Sequence, residues 1–493
     1  MRRKIPIFYN ALLLTGVNLL LRLVSTSFQV YLSGRIGAEG IGLLQLVMSV
    51  GSMTMVAGMA GVRTATMYLT AEELGKKRPG SVKWILSGSF TYSIAISGTI
   101  SLTLYFLAPF LAEHWIGEPA ITPALRLFSF FVPVSCLCGV MTGYFTAANR
   151  IGTLAAVEIA EQLCSILVTM SLLTLWAGTD AARACQSVIL GSGISACLTL
   201  GCLLYLRAKE NASVSAKVPV RSRLLKTAVP LGLADDLKTG INTLENLMVP
   251  KRLALYPGTL TPLAAFGTVC GMIFPVLMFP AAILFGLAEL LIPELARCAA
   301  AGSQKRIEYL TKRSLRVAML YGCVFCGIMF LASEPLCTAL YGVSDAGYYL
   351  QMYSLLIPML YCDAITDAMI KGLGQQTASV RYNILTSSMD VALLFLLLPV
   401  YGMKGYFISF LITHLLNFIL SLRRLVKISQ CRLSVKVSVL TVLCTAIAIW
   451  IASHLANQIL SAGAFVVLLV CLLFLWGVLG KDDLRWIKGL VKG

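Results

Sequence analysis

Charge is what this sequence has least of. Only 13% of its 493 residues are charged, against about 25% in soluble domains. Histidine occurs three times, at positions 114, 414 and 454, a separation that matches no metal-ligand spacing. There is no Gly-rich phosphate loop, no nuclease-like cluster of acids and no long polar stretch from which a large soluble domain could be built. Catalysis on phosphates or at a metal therefore has no visible constellation to run on.

What the chain has instead is apolar residues, 58% of the total. They come in runs close to the ~20 residues needed to cross ~30 Å of hydrocarbon. Arg2, Arg3 and Lys4 ahead of an apolar run would suit a secretory signal, but the run continues to about Ser33, too long for one, and is expected to be kept as a span. Fourteen spans are predicted, near 8–32, 43–70, 84–111, 122–146, 153–177, 184–206, 227–250, 262–296, 314–333, 348–372, 380–399, 404–425, 436–455 and 462–480. The eighth is too long for one straight crossing and holds Pro275, Pro280 and Pro293, so a kink is expected there.

The net charge of +18 would suggest nucleic acid in a soluble protein. Here the distribution argues for a membrane orientation instead. With the N-terminus inside, 31 of the 40 Lys and Arg fall in cytoplasmic loops and tails, the positive-inside pattern. Both termini are then cytoplasmic. The fifteen cysteines are scattered through apolar segments, where Cys acts as a small hydrophobe; packing is the expected role even for the Cys323–Cys326 pair.

The chain also repeats itself. LLLTGVNLLLRLV from Leu12 returns as DLKTGINTLENLM from Asp236, with Thr15/Thr239, Gly16/Gly240 and Asn18/Asn242 matched at an offset of 224. Pro6 and Pro230 share that offset, and LFSFFVP (127–133) echoes MYSLLIP (352–358) at 225. Six spans separate the copies, so both cross in the same direction. The expected fold is all-α and polytopic, with two parallel-repeat six-helix lobes around a central cavity plus two extra helices. Its parts are an N-lobe (1–207), a basic cytoplasmic linker (208–226), a C-lobe (227–430), spans 13 and 14 (431–480) and a cytoplasmic tail (481–493). Such a duplication suits alternating access.

Several stretches carry a family resemblance. RIGAEGIGLLQLV (35–47), GYFTAANRIGTLAAVEIAEQL (143–163), AVPLGLADDLKTGINTLENLMVPKRL (228–253) and the Pro-rich span ending IPEL (292–295) stand in order and spacing. Together they resemble the multidrug, oligosaccharidyl-lipid and polysaccharide exporter superfamily, in particular its stage V sporulation protein B branch, related to the lipid II flippases. That branch commonly carries an Arg after the Glu-Gln-Leu at 161–163, where this chain has Cys164 and Ser165. The resemblance implies a non-enzymatic flippase for a polyprenyl-diphosphate-linked saccharide in a bacterial cytoplasmic membrane. It also implies a spore-cortex association and cell-wall synthesis machinery as a possible partner, with membrane lipid as the other.

The chemistry of such a protein resides in ionisable residues at membrane depth, each costing about 2.5–3.5 kcal/mol at a helix centre. Arg22 stands roughly 21 Å into the first span at 1.5 Å per residue, and Arg63 lies in the second. With Lys251 and Arg252 at the end of the seventh they form a set of candidate diphosphate-binding cations, for which the bidentate guanidinium is well suited. Interface anchoring is the plainer role for the latter two, and an ion pair with Glu245 the plainer role for Arg22. Asp235, Asp236, Asn383 and Asp390 are candidates for a coupling-ion site, sodium or proton; no other cofactor is expected. Asp363, Asp367 and Lys371 follow one another at i,i+4 and could form structural pairs, while Glu158, Glu161, Glu289 and Glu294 suit capping or loop pairing. The rival function is a cation-coupled multidrug and toxin extrusion-type antiporter. Residues 5–33 hold no Asp or Glu, which disfavours it, and a membrane glycosyltransferase would need longer outer loops. The charge bias yields a direct test. Single cysteines at Arg221 and Glu118 should label from opposite sides of the membrane, and labelling from the same side would overturn the span assignment.

Overall fold

Backbone in hydrocarbon must satisfy its own hydrogen bonds, and the chain does so with helices alone; no strand occurs among the described residues. The computed structural model describes residues 5–76, 79–178, 180–209, 220–258, 261–343, 346–431, 435–455 and 457–478. Most of the expected linker (208–226), the expected tail (481–493), Lys77 and Asp345 lie outside them.

The first helices are α1 (Ile5–Met59, two helices joined at a kink at Gly37, φ 69°), α2 (Val62–Gly75), α3 (Val82–Phe110), α4 (Thr122–Ala147), α5 (Ile151–Leu172) and α6 (Ala181–Ala208). There follow α7 (Val220–Leu253), α8 (Pro262–Phe266), α9 (Phe274–Met278), α10 (Ala281–Ala300), α11 (Gln304–Leu331) and α12 (Ser333–Tyr341). The last six are α13 (Ala346–Ser354), α14 (Ile357–Gly372), α15 (Gln376–Tyr401), α16 (Met403–Ser429), α17 (Val435–Ala452) and α18 (Gln458–Leu475). Asp180 caps α6 through bonds to the Ala182 and Arg183 N–H, and Asn457 caps α18 in the same manner.

Among the described residues, nine helical stretches are long and apolar enough to cross a membrane, or eleven when each of two bent pairs is taken as one span. One stretch, Leu19–Leu74, contains parts of the first two expected spans. The 34-residue α7 is too charged for that criterion and α17 somewhat short. Dividing the long stretch in two and adding α7 and α17 accounts for all fourteen segments read from the sequence.

Breaks fall where packing demands them. The expected kink in the eighth span lies at Pro280, where the segments ending at Met278 and starting at Ala281 bend by 61°. Two further breaks lie outside the kink expected from the sequence. The tenth span bends by 55° between α13 and α14, just before Pro358, whereas the matching Pro133 lies inside the single helix α4. The second span is interrupted at Ala60 (φ 41°) and Gly61 (φ 72°). Each of two breaks exposes carbonyls that a tyrosine hydroxyl caps. Tyr92 donates to the Ala60 carbonyl at 3.2 Å. Tyr361 and Tyr321 donate to the Leu277 and Pro280 carbonyls, both at 2.8 Å.

The chain divides into two compact units. The first comprises Met1–Met272 with Ser387–Tyr406, the second Ile273–Thr386 with Phe407–Gly493. In the first unit α3 to α6 pack on one another, and α1 and α2 pack on α7. Val220, Leu224 and Ala228 of α7 are buried against Ala65, Leu69 and Ile85. Arg223 ties the same end down, reaching Glu73 at 2.9 Å and Glu72 at 2.6 Å. Farther along, Thr243 donates to the Ser49 carbonyl at 3.0 Å, and Asn246 to the Ser49 hydroxyl at 2.9 Å. In the second unit α11 packs on α14 and α18, and α10 on α14. Phe465 stands at the centre of the α11–α17–α18 cluster.

Gly61 shows how tight the α2–α7 crossing is: a β-carbon there would collide with the Ala228 carbonyl and reach the Gly232 nitrogen at 2.9 Å. Its left-handed backbone adds about 1–2 kcal/mol for any other residue, and overpacking about 1–3 kcal/mol. Gly61→Val should therefore lower the thermal midpoint of the detergent-solubilised protein clearly. Gly98→Ala, where a β-carbon meets nothing within 4 Å, should leave it nearly unchanged. Equal behaviour of the two would mean that the helices do not cross at Gly61.

Candidate functional site

The polar residues of the first unit gather in distinct places. On α7, Glu245 makes a side-chain hydrogen bond with Asp390 of α15. Asp390 is only 4% exposed, and its helix segment belongs to the same unit. The two carboxyls thus form a close pair. Beside it Cys270 and the Tyr406 hydroxyl approach to 3.6 Å. The sequence nominates Asp390, but it offers no means of choosing Glu245 as its partner over the other acids of the seventh span. The signal available was Glu245's place in the polar series of α7.

The other expected ion-site residues are dispersed. Asp235 is exposed, and Asp236 has one carboxylate oxygen buried without a hydrogen-bond partner. Asp236 also lies near enough to Tyr92 for their charges to interact, close to the break in the second span. Asn383 bonds back to the Ser379 carbonyl at 3.0 Å, one turn earlier on α15.

The expected cations also separate. Arg22, half-buried on α1, is engaged with a neighbouring group. Arg63 lines a cavity of about 280 Å³ within the first unit, together with Glu161, Thr142, Ser192, Phe128 and Met59. Glu158 on α5 lies within electrostatic reach of Arg63, and Glu161 is hydrogen-bonded to Thr199. Neither acid caps a helix, contrary to their plainer expectation: both are partly buried on α5. At the far end of α7, Lys251 donates to the His114 carbonyl. Arg252 donates to the Phe395 carbonyl at 2.8 and 3.1 Å and lies 3.5 Å from the centre of that residue's ring. The Arg252 contact with the ring is a cation–π interaction.

In the second unit Asp363 accepts from Asn417 at 3.1 Å, and Asp367 pairs with Lys371 at 2.6 Å while accepting from the Ser379 hydroxyl. Cys323 and Cys326 are free and buried. No cluster of three or more His, Cys, Asp or Glu suited to a metal occurs among the described residues. At the α7 start, outside the expected span, the bond from Glu73 and then that from Glu72 hold Arg223 above its ordinary pKa.

Comparison with known proteins bears on this arrangement. The MatE family model matches residues 15–178. Stage V sporulation protein B of Bacillus subtilis (strain 168) is 21% identical over 408 residues, 80% of this chain and 79% of that protein. Among solved structures, the lipid II flippase MurJ in an inward closed conformation superposes with a TM-score of 0.71 at 13% identity, covering 94% of this chain and 98% of the other. A multidrug resistance MATE family transporter of the MOP superfamily, inward-facing, gives 0.65 at 15% identity, covering 84% and 99%. All these relatives with a described activity are transporters or flippases. Residues 15–178 are thus similar to the MatE family, and over most of its length the chain has a helical fold similar to that of these solved transporters.

Proposed function

We propose that this chain is a cation-coupled flippase that moves a polyprenyl-diphosphate-linked saccharide across the bacterial cytoplasmic membrane. The observation that carries the reading is the presence, within the first unit, of both span arginines and a close carboxyl pair. Arginines stand on α1 and α2, at Arg22 and Arg63, and carboxyls on α7 and α15, paired at Glu245 and Asp390. A guanidinium suits a diphosphate through its fork of donors, and a carboxyl pair suits a proton or sodium ion. A relative named for sporulation and a fold shared with a lipid II flippase support a peptidoglycan-type saccharide as the cargo. In this scheme the arginines hold the headgroup, and filling of the carboxyl pair sets which conformation is favoured. A ligand shifts such an equilibrium only by its differential affinity for the two states.

A second reading, export of an amphipathic cation, is favoured by one feature. The cavity beside Arg63 is walled by Phe128, Phe131, Met55 and Met59 and carries Glu161, a lining that fits an aromatic amine. Arg63 in the same wall opposes it.

Proteoliposomes separate the two. Arg22→Ala should remain membrane-inserted and monodisperse but bind a fluorescent polyprenyl-diphosphate disaccharide about 10- to 100-fold more weakly, the worth of a charge-assisted hydrogen bond. Arg22→Lys should recover part of the loss. Glu245→Gln and Asp390→Asn should bind the lipid normally yet lose the response to an imposed sodium or proton gradient. Unchanged lipid binding in both Arg22→Ala and Arg63→Ala, together with gradient-driven ethidium efflux by the wild type, would overturn the flippase in favour of the antiporter.

A further inference from the structure

A second basic site stands in the second unit, and none of its lining residues is among those assigned above to cargo or coupling ion. The start of α15, the end of α14 and the last turns of α16 meet at one end of the second unit. Gln304 at the head of α11 joins them there, donating to the Ser429 carbonyl at 2.7 Å. Between them lies a cavity of about 280 Å³ lined by Gln375, Thr377, Ala378, Arg381, Tyr382 and Arg424. Thr377, Ala378 and Arg381 share one face of α15 by their i, i+3 and i+4 spacing.

The two arginines are held differently. Arg424 is fixed by a 2.5 Å bond from its Nη2 to the Gln375 side-chain oxygen, which leaves its Nε buried with no hydrogen-bond partner. Arg381 is exposed and has no ion-pair or hydrogen-bond partner among the described residues. The nearest acid of α14, Asp367, is already taken by Lys371 and Ser379, so the cavity keeps a net positive charge. A buried guanidinium N–H without an acceptor is costly, and the first turn of a long helix adds its own positive end. A hydroxyl on Thr377 and another on Tyr382 complete a ring of donors. The lining carries no carboxylate, so nothing in it repels an anion.

We propose that this cavity binds a phosphate group, held between Arg381 and Arg424 against the first turn of α15. Its end of the unit is the one the basic loops assign to the cytoplasm, and basic pockets between spans on that side suit the headgroups of anionic lipids. The phosphate could equally be supplied by a soluble phosphoanion, and the test distinguishes the sources. The site does not depend on the cargo reading, since it shares no residue with it.

The full-length protein is reconstituted into nanodiscs containing phosphatidylglycerol in phosphatidylcholine, and lipid retained on release is counted by native mass spectrometry. In parallel, inorganic phosphate is titrated against protein in a neutral detergent and followed by phosphorus NMR line width. Arg381→Gln, at an exposed position, keeps the fold; Arg424→Gln removes the second arm. Retention of phosphatidylglycerol should fall about fivefold in Arg381→Gln and further in the double variant, with Arg381→Lys intermediate. Retention in the wild type without phosphate broadening assigns the site to a lipid headgroup, and broadening lost in Arg381→Gln without lipid retention assigns it to a soluble phosphoanion. If wild type and Arg381→Gln retain lipid equally and neither broadens phosphate, the cavity is not a phosphate site.

Discussion

A peptide carbonyl released inside hydrocarbon has no water to turn to, and much of this structure can be read as the response. Where spans run unbroken, the helix satisfies its own groups. Where they break, something else must supply the donor. At Ala60 it is Tyr92, and at Leu277 and Pro280 it is Tyr361 and Tyr321. A tyrosine is well suited to this because its ring stays apolar and only its tip is a donor. The breaks can then persist as fixed bends in the second and eighth spans, which occupy corresponding places in the two copies of the repeat.

Close approach is the second theme. Lipid tails offer helices no hydrophobic reason to associate, so contact depends on packing and on bonds between helices. Gly42 and Gly267 bring α1 and the segment after α8 together with almost no side chain between, and Gly61 and Gly232 do the same for α2 and α7. The polar bonds from Thr243 and Asn246 to Ser49 lie along the same α1–α7 seam. Held along this seam, α7 presents Glu245 to Asp390 of α15.

The sequence was legible wherever one dimension sufficed. The apolar helices, the repeat at 224 and the kink at Pro280 all follow from hydropathy, matched residues and proline. Asp390 could be singled out by depth alone. Its partner could not: Asp235, Asp236 and Glu245 share one span, and only the register of α7 against α15 distinguishes Glu245. The Ala60–Gly61 break was hidden because its cause, the backbone of α7, lies about 170 residues away in the chain. The paired motifs around Pro133 and Pro358 make the same point. A similar stretch is one helix in the first copy and a 55° bend in the second, so the residues permit a bend and the surroundings decide it.

The placement of α7 ties the two copies of the repeat together. By sequence it opens the second copy, yet its buried residues Val220, Leu224 and Ala228 rest on α2 and α3 of the first. A half ending before α7 would leave Ala65, Leu69 and Ile85 uncovered and Glu73 without its guanidinium. The copies are therefore not interchangeable parts: the first borrows its covering helix from the start of the second, and a cut between α6 and α7 would strip it.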